Sequence, residues 1–263
     1  MKKLLLALLT LTLGVVLFGC NNQTEQTSWE VIQERGYFIV GLDNTFAPMG
    51  FVDENGDLVG FDVDLAKEVA SRLGVDVVFQ PIDWDSKVLE LNAKTIDMIW
   101  NGLTITDSRL LEMSFSQPYL ANRQIIIVKS DSTIDTIDDL TGLKVGVQIS
   151  SASEEAVNAN AIVTSLDELV QYDTYTQALL DLKNGVIDAV VIDEIMGRYM
   201  LTQTTDTYKV ATEDFGEEEY GIGFRLEDTD LRDLFNQTLQ AMIDDGTAAE
   251  ISILWFGEDI FLD

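Results

Sequence analysis

Apolar positions along this chain follow two periods that alternate. Residues 37–43, "YFIVGLD", are a short β-branched run that reads as a strand. In residues 62–74, "DVDLAKEVASRLG", Leu65, Val69 and Leu73 recur every four positions and Gly74 stands at the end, so the spacing predicts a helix with a glycine stop. The pattern then predicts a strand at 75–80, a helix at 86–93 and a strand at 95–100, "TIDMIW". A second series follows, with strands at 124–130, 143–148 and 186–193. Its helix at 174–185 has Thr174 as N-cap and Gly185 beyond its end. The tail holds "EYGIGFR" (219–225), a helix near 229–245, and a last helix through Phe256 opened by the capping-box pair Thr247 and Glu250. Strand and helix in alternation predict an α/β fold with largely parallel sheets.

The two series resemble each other. "VGLD" (40–43) recurs as "VGVQ" (145–148), and "LNAKTIDMIW" (91–100) as "LKNGVIDAVV" (182–191), which sets Gly102 opposite Asp193. Two related lobes are the expectation. Open parallel sheets bind ligands beyond the carboxyl ends of their strands, where Asp43, Gly102, Gln148 and Asp193 all fall. A cleft between the lobes follows.

Composition changes this picture at the N-terminus. Lys2 and Lys3 precede an apolar run to Phe18, the layout of an export signal, too short for a spanning helix. The run stops at "LFGC", and Cys20 is the only cysteine of the 263 residues. The stop resembles a lipoprotein signal, in which cleavage leaves a lipid-modified Cys20. An ordinary cleaved signal with an incidental cysteine is the alternative. Residues 20–29 then read as a flexible tether. No disulfide framework is available. The formal charge is −30, or −32 once Lys2 and Lys3 are removed, which argues against nucleic acid or anionic lipid as a partner.

Candidate chemistry gathers at the strand ends. In "NGLTITDSR" (101–109), Gly102 lets a ligand approach the backbone, Thr104 offers a hydroxyl and an N–H, and Thr106 caps a helix holding Arg109 in its first turn. A cation is disfavoured there, so something negative should compensate it: Asp107, Glu112 or a bound carboxylate. In "SSASEE" (150–155), Ser151 and Glu154 form a capping-box pattern whose helix start can hold an anion, or is simply a capped helix. Asp193 ends an apolar strand and needs solvent, Arg198 or an ammonium group. Phe46 and Trp84 stand beside these groups, as core, cleft lining or stacking partners. The chain has no His, and no catalytic or metal-binding constellation is legible.

"VGLDNTFAPMGFVDENGDLVGFDVDLAKEVASRLG", "DW", "IDMIWNGLTITDSR", "FSQPY", "VGVQ" and "IDAVVIDE" together resemble an extracellular solute-binding protein of the family serving polar amino-acid ABC importers, over about residues 30–256. The resemblance implies a two-lobed, periplasmic-binding-protein-like (type II) fold joined by crossover strands near 122–126 and 215–219. It implies a first lobe of 30–123 plus 217–263 and a second of 124–216. It also implies capture of a free polar L-amino acid, without cofactor or metal, by a monomer that serves a membrane permease from the outer face of the cell membrane. By motif, Arg109 should bind the ligand carboxylate with Thr104, Ser151 and the N–H of Ala152, which lacks the hydroxyl common there. Gly102, through its carbonyl, and Asp193 should take the ammonium. Phe46 and Trp84 should sandwich the ligand, and Asp43 should lie near its side chain or amine. A dehydratase-like enzyme on the same scaffold, with Asp43 or Glu154 as proton donor, and a sensor that transports nothing are the rival readings.

Overall fold

A computed structural model describes residues 26–204 and 207–262. The expected leader, Cys20 and the tether as far as residue 25 lie outside the described residues. The chain begins with α1 (Ser28–Arg35) and β1 (Tyr37–Leu42), then a small meander of β2 (Thr45–Phe46), β3 (Gly50–Val52) and β4 (Leu58–Val59). Next come α2 (Phe61–Leu73), β5 (Asp76–Pro81), α3 (Lys87–Asn92), β6 (Met98–Ile99) and β7 (Ser114–Phe115). The middle of the chain supplies β8 (Leu120–Lys129), β9 (Lys144–Gln148), α4 (Ala152–Ala159), β10 (Glu168–Tyr172), α5 (Tyr175–Asn184), β11 (Ala189–Asp193) and α6 (Glu194–Gln203). The chain closes with β12 (Tyr208–Tyr220), β13 (Gly223–Phe224), α7 (Thr229–Asp244) and α8 (Thr247–Phe256).

Two five-stranded sheets carry the lobes, in the orders β5-β1-β6-β13-β7 and β10-β9-β11-β8-β12. The orders correspond strand for strand. β1 and β9 each pair in parallel with the two strands that follow the same way, and one strand in each sheet, β13 or β8, runs against the other four. The repeat read in the sequence is therefore a repeat of topology: "VGLD" and "VGVQ" close equivalent strands, and of another equivalent pair, β6 and β11, Gly102 lies just past the first and Asp193 ends the second.

The first lobe's core sets an aromatic cluster among aliphatic side chains. Phe235 of α7 meets Phe38 of β1 and Phe224 of β13 edge-on, at 5.2 and 5.4 Å between ring centres. Between the lobes run β8 and β12, paired antiparallel from Leu120↔Tyr220 to Lys129↔Tyr208 with two register shifts in β12. Their far ends belong to the second sheet, and Tyr220 forms an isolated bridge to Thr104 of the first lobe.

Several local expectations change. Ser28 and Trp29, expected in the tether, open α1, because Thr27 and Glu30 form a reciprocal capping box. The strand expected over 95–100 is only Met98–Ile99, its one parallel neighbour being β1 over two residues. The last helix has no Thr247–Glu250 box. Gly246, at φ +86, precedes it, and the Thr247 hydroxyl binds Asp245 and receives a bond from Arg72.

Candidate functional site

β1, β6, β9 and β11 end on one cleft, and residues at or beyond their ends, with Phe46 and Trp84, line one cavity of about 260 Å³ counted to its mouth. Its walls are Asp43, Phe46, Trp84, Gly102, Thr104, Arg109, Gln148, Ser151, Ala152 and Asp193, together with Asn101. Ten residues singled out by sequence thus share one space. Most of that volume is open to solvent at the mouth; the enclosed part is only about 10 Å³, room for about one water, so the walls stand nearly in contact.

Arg109 is 5% exposed. The helix expected around it is a single 3-10 turn, Arg109–Leu111, although the Thr106 hydroxyl does accept the Arg109 backbone N–H at 3.3 Å. So short a turn has little dipole to offend. The guanidinium donates to the Thr104 carbonyl at 2.8 Å and the Ser150 carbonyl at 3.2 Å. Among the described residues no carboxylate lies within ion-pair distance of it; neither Asp107 nor Glu112 compensates it. Burial holds Arg109 below its ordinary range, opposed by the more distant charges of Asp193 and Glu218. A dry guanidinium facing only carbonyls favours an anion beside it.

Facing it from the second lobe is the start of α4. Ser151 caps that helix by accepting the Glu154 N–H at 3.1 Å. The Glu154 carboxylate reaches back one residue further than a capping box requires, to the Ser150 N–H at 2.6 Å. Ser150 is held at φ +56, and its carbonyl also receives Lys87 at 2.9 Å. Lys87 stands 5.1 Å from the Trp84 ring centre, and burial together with the neighbouring Arg109 pushes it down to about 7.

The opposite wall is acidic. Asp193, 4% exposed, accepts Tyr220 at 2.7 Å, Asn122 at 2.9 Å, Gln124 at 3.1 Å and Tyr175 at 3.3 Å. Arg198 pairs with Glu194 instead. Burial raises the Asp193 carboxyl against those hydrogen bonds. Gly102 sits at φ +56, where a Cβ would come within 2.9 Å of Phe46 and 3.0 Å of Tyr220. Its N–H is fixed by Asp62 at 2.7 Å, and Tyr119 holds the other Asp62 oxygen at 2.9 Å. Thr104 gives its hydroxyl to Glu218 at 2.8 Å, so that hydroxyl is committed inside the protein.

At the third side, Asp43 and Gln148, ends of the two equivalent strands, bond each other across the lobes at 2.8 Å. Asp43 also accepts the N–H and hydroxyl of Thr45, and its own N–H goes to Asn101. Phe46 packs on Tyr175 of the second lobe at 6.0 Å between ring centres. The two acids open to an enzymatic reading are both occupied: Asp43 as described, and Glu154 by Ser150 and Gln171. Sequence reasoning passed over Lys87, Asn101, Asp62, Tyr175 and Glu218. Asn101 is the first residue of the 101–109 motif and was within reach. The others enter through pairings distant in sequence.

Residues 38–258 match the bacterial extracellular solute-binding proteins, family 3. The L-cystine-binding protein TcyJ of Escherichia coli is 36% identical over 231 residues, covering 87% of this chain and 86% of that protein. A substrate-binding protein of an ABC uptake transporter from Streptococcus pneumoniae, solved with bound histidine, superposes with a TM-score of 0.88 at 38% identity, over 91% of this chain and all (100%) of the other. The P235GK mutant of ArgBP from T. maritima gives a TM-score of 0.82 at 39% identity, over 87% and 99%.

Proposed function

On the footing that the chain belongs to the bacterial extracellular solute-binding proteins, family 3, we propose that it captures a free polar L-amino acid and delivers it to the permease of an ABC importer. The observation that carries the reading is Arg109, buried in a small cavity without a carboxylate partner and opposite a buried Asp193. The ligand's carboxylate lies on the Arg109 guanidinium, with the N–H of Thr104 and the start of α4 at Ser151 and Ala152. Its ammonium lies on Asp193 and the Gly102 carbonyl. Phe46 and Trp84 flank it, and its side chain points toward Asp43 and Gln148. A neutral or cationic side chain suits that end, because the neighbouring groove is lined by Asp83, Asp85, Glu90 and Asp173 as well as Asp43. Relatives that bind cystine, arginine and histidine fit this range.

The mechanism is capture rather than catalysis. The lobes divide within β8 and β12, near 123/124 and 216/217, and these two strands are the hinge. The protein works as a monomer at the outer face of the membrane, held by lipid on Cys20; the signal-like run ending at that cysteine supports this anchoring. A thermal-shift screen of the twenty amino acids and cystine tests the reading. At least one L-amino acid is expected to raise the melting temperature in a concentration-dependent way. No shift from any of them contradicts it.

A further inference from the structure

The hinge places a second acid behind the ammonium side of the cavity. β8 lies between β11 and β12, and the register sets Asp193 opposite Gln124 and Glu218 opposite Asn122. Asn122 and Gln124 are two apart on β8, so their side chains share a face. Each amide nitrogen bonds both acids: Asn122 reaches Asp193 at 2.9 Å and Glu218 at 2.6 Å, and Gln124 reaches them at 3.1 and 2.8 Å. Thr104 supplies a third donor to Glu218. Two carboxyl groups are thereby braced side by side by the same two amides.

No base neutralises this pair directly. Among the described residues Glu218 has no ion-pair partner; the nearby Arg123 is committed to Glu194, Asp214 and Glu217. The groups facing the pair from the packed elements are Tyr175 of α5, Tyr220 of β12 and, at longer range, Arg109. Glu218 is absent from the cavity wall. It lines a groove on the outer side of the hinge instead, with Ala121, Arg123, Glu194 and Glu217. It therefore stands between the cavity acid and solvent.

We infer that Glu218 is a positioning residue for the ammonium site: it and Asp193 hold one proton between them while the cavity is free, and an arriving ammonium group displaces that proton through Glu218 into the outer groove. The balance is simple. The carboxyl O–H bond of the pair breaks, the proton passes to buffer, and the ligand's N–H bonds to Asp193 replace it. Glu218 is pushed up to about 7 by burial and by the negative charge of Asp193, which places the exchange in the neutral range. The idea rests on the proposed amino-acid site.

The test is calorimetry in two buffers of different ionisation enthalpy. The probe is the tightest-binding amino acid from the thermal-shift screen whose side chain does not titrate between about pH 5 and about pH 9. The wild type is expected to release a measurable fraction of a proton per ligand near neutrality and to bind about fivefold or more weakly at about pH 5.5 than at about pH 7.5. Glu218→Gln keeps an acceptor for Asn122, Gln124 and Thr104. Compared with the wild type it is expected to release less proton and to show a flatter profile; Lys87, pushed down to about 7 by burial beside Arg109, is the same in both proteins and cancels in the comparison. An unchanged release and profile in Glu218→Gln overturns the inference. So does a wild type that binds but releases no proton, whatever the fate of the variant. If no amino acid binds at all, the site reading itself falls and this inference with it.

Discussion

At the scale of single residues, the chemistry reduces to ionisable groups held in a dry place with too few counter-charges. Arg109 is the sharpest case. Arg109→Ala is expected to weaken amino-acid binding by about 30- to several-thousand-fold, the roughly 2–5 kcal/mol lost when a buried charge loses its partner. Calorimetry at unchanged fold, checked by circular dichroism, reads it; an unaltered affinity would remove Arg109 from the site. Asp62 makes a different prediction, about stability. Burial pushes its carboxyl up to about 7, while the unfolded chain releases that proton near about 4. The folded protein thus holds a proton that the unfolded chain has lost. Its stabilising effect is complete below the unfolded value and disappears as pH rises through about 7. Asp62→Asn should remove that part of the pH dependence, roughly 1–4 kcal/mol between about pH 4 and about pH 8, as urea denaturation would show. Identical pH slopes in the two proteins would mean that Asp62 is ionised in its buried position.

At the scale of elements, local signals succeeded where the local partner is also the final one. Thr174 and Gly185 bound α5 and Gly74 ends α2, as their sequence positions indicate, because caps act within one turn. Thr27 and Glu30 carry the same kind of signal for α1, and Thr27→Ala is expected to cost about 1 kcal/mol in chemical denaturation without altering ligand affinity. A loss of affinity in that variant would tie α1 to the site. Local reasoning failed where a distant residue competes. Thr247 looked like an N-cap, but Asp245 and Arg72 claim its hydroxyl, and the left-handed Gly246 begins the helix. Thr106 does cap the Arg109 N–H, yet the turn it opens runs only to Leu111. The strand-end positions Asp43, Gly102, Gln148 and Asp193 were legible because parallel topology alone puts them on one side. Lys87 and Glu218 were not. One becomes notable only when Ser150 arrives from the other lobe, the other only when the register of β12 on β8 is known.

At the scale of the whole molecule, bonds between the lobes hold them together around the cavity. Asp43 meets Gln148, Lys87 and Arg109 meet the Ser150 carbonyl, and Thr106 and Ser108 reach Glu155 at 3.2 and 2.9 Å. A ligand that touches both walls favours this closed arrangement by its differential affinity for it. The contacts at Glu155 are exposed and lie outside the cavity wall, so Glu155→Ala is expected to weaken binding only about two- to fivefold, by favouring the open form. Small-angle scattering should show that variant needing more ligand to become compact; the same ligand dependence as wild type would deny Glu155 a role in closure. What all of this presupposes is that one zwitterion spans the cleft, acid end on Arg109 and amine end on Asp193. Calorimetry decides it by comparing the tightest-binding amino acid with its analogue lacking only the α-amine and its analogue lacking only the α-carboxylate. Both analogues are expected to bind at least about a hundredfold more weakly; an analogue that binds as well as the parent contradicts the arrangement at the end it lacks.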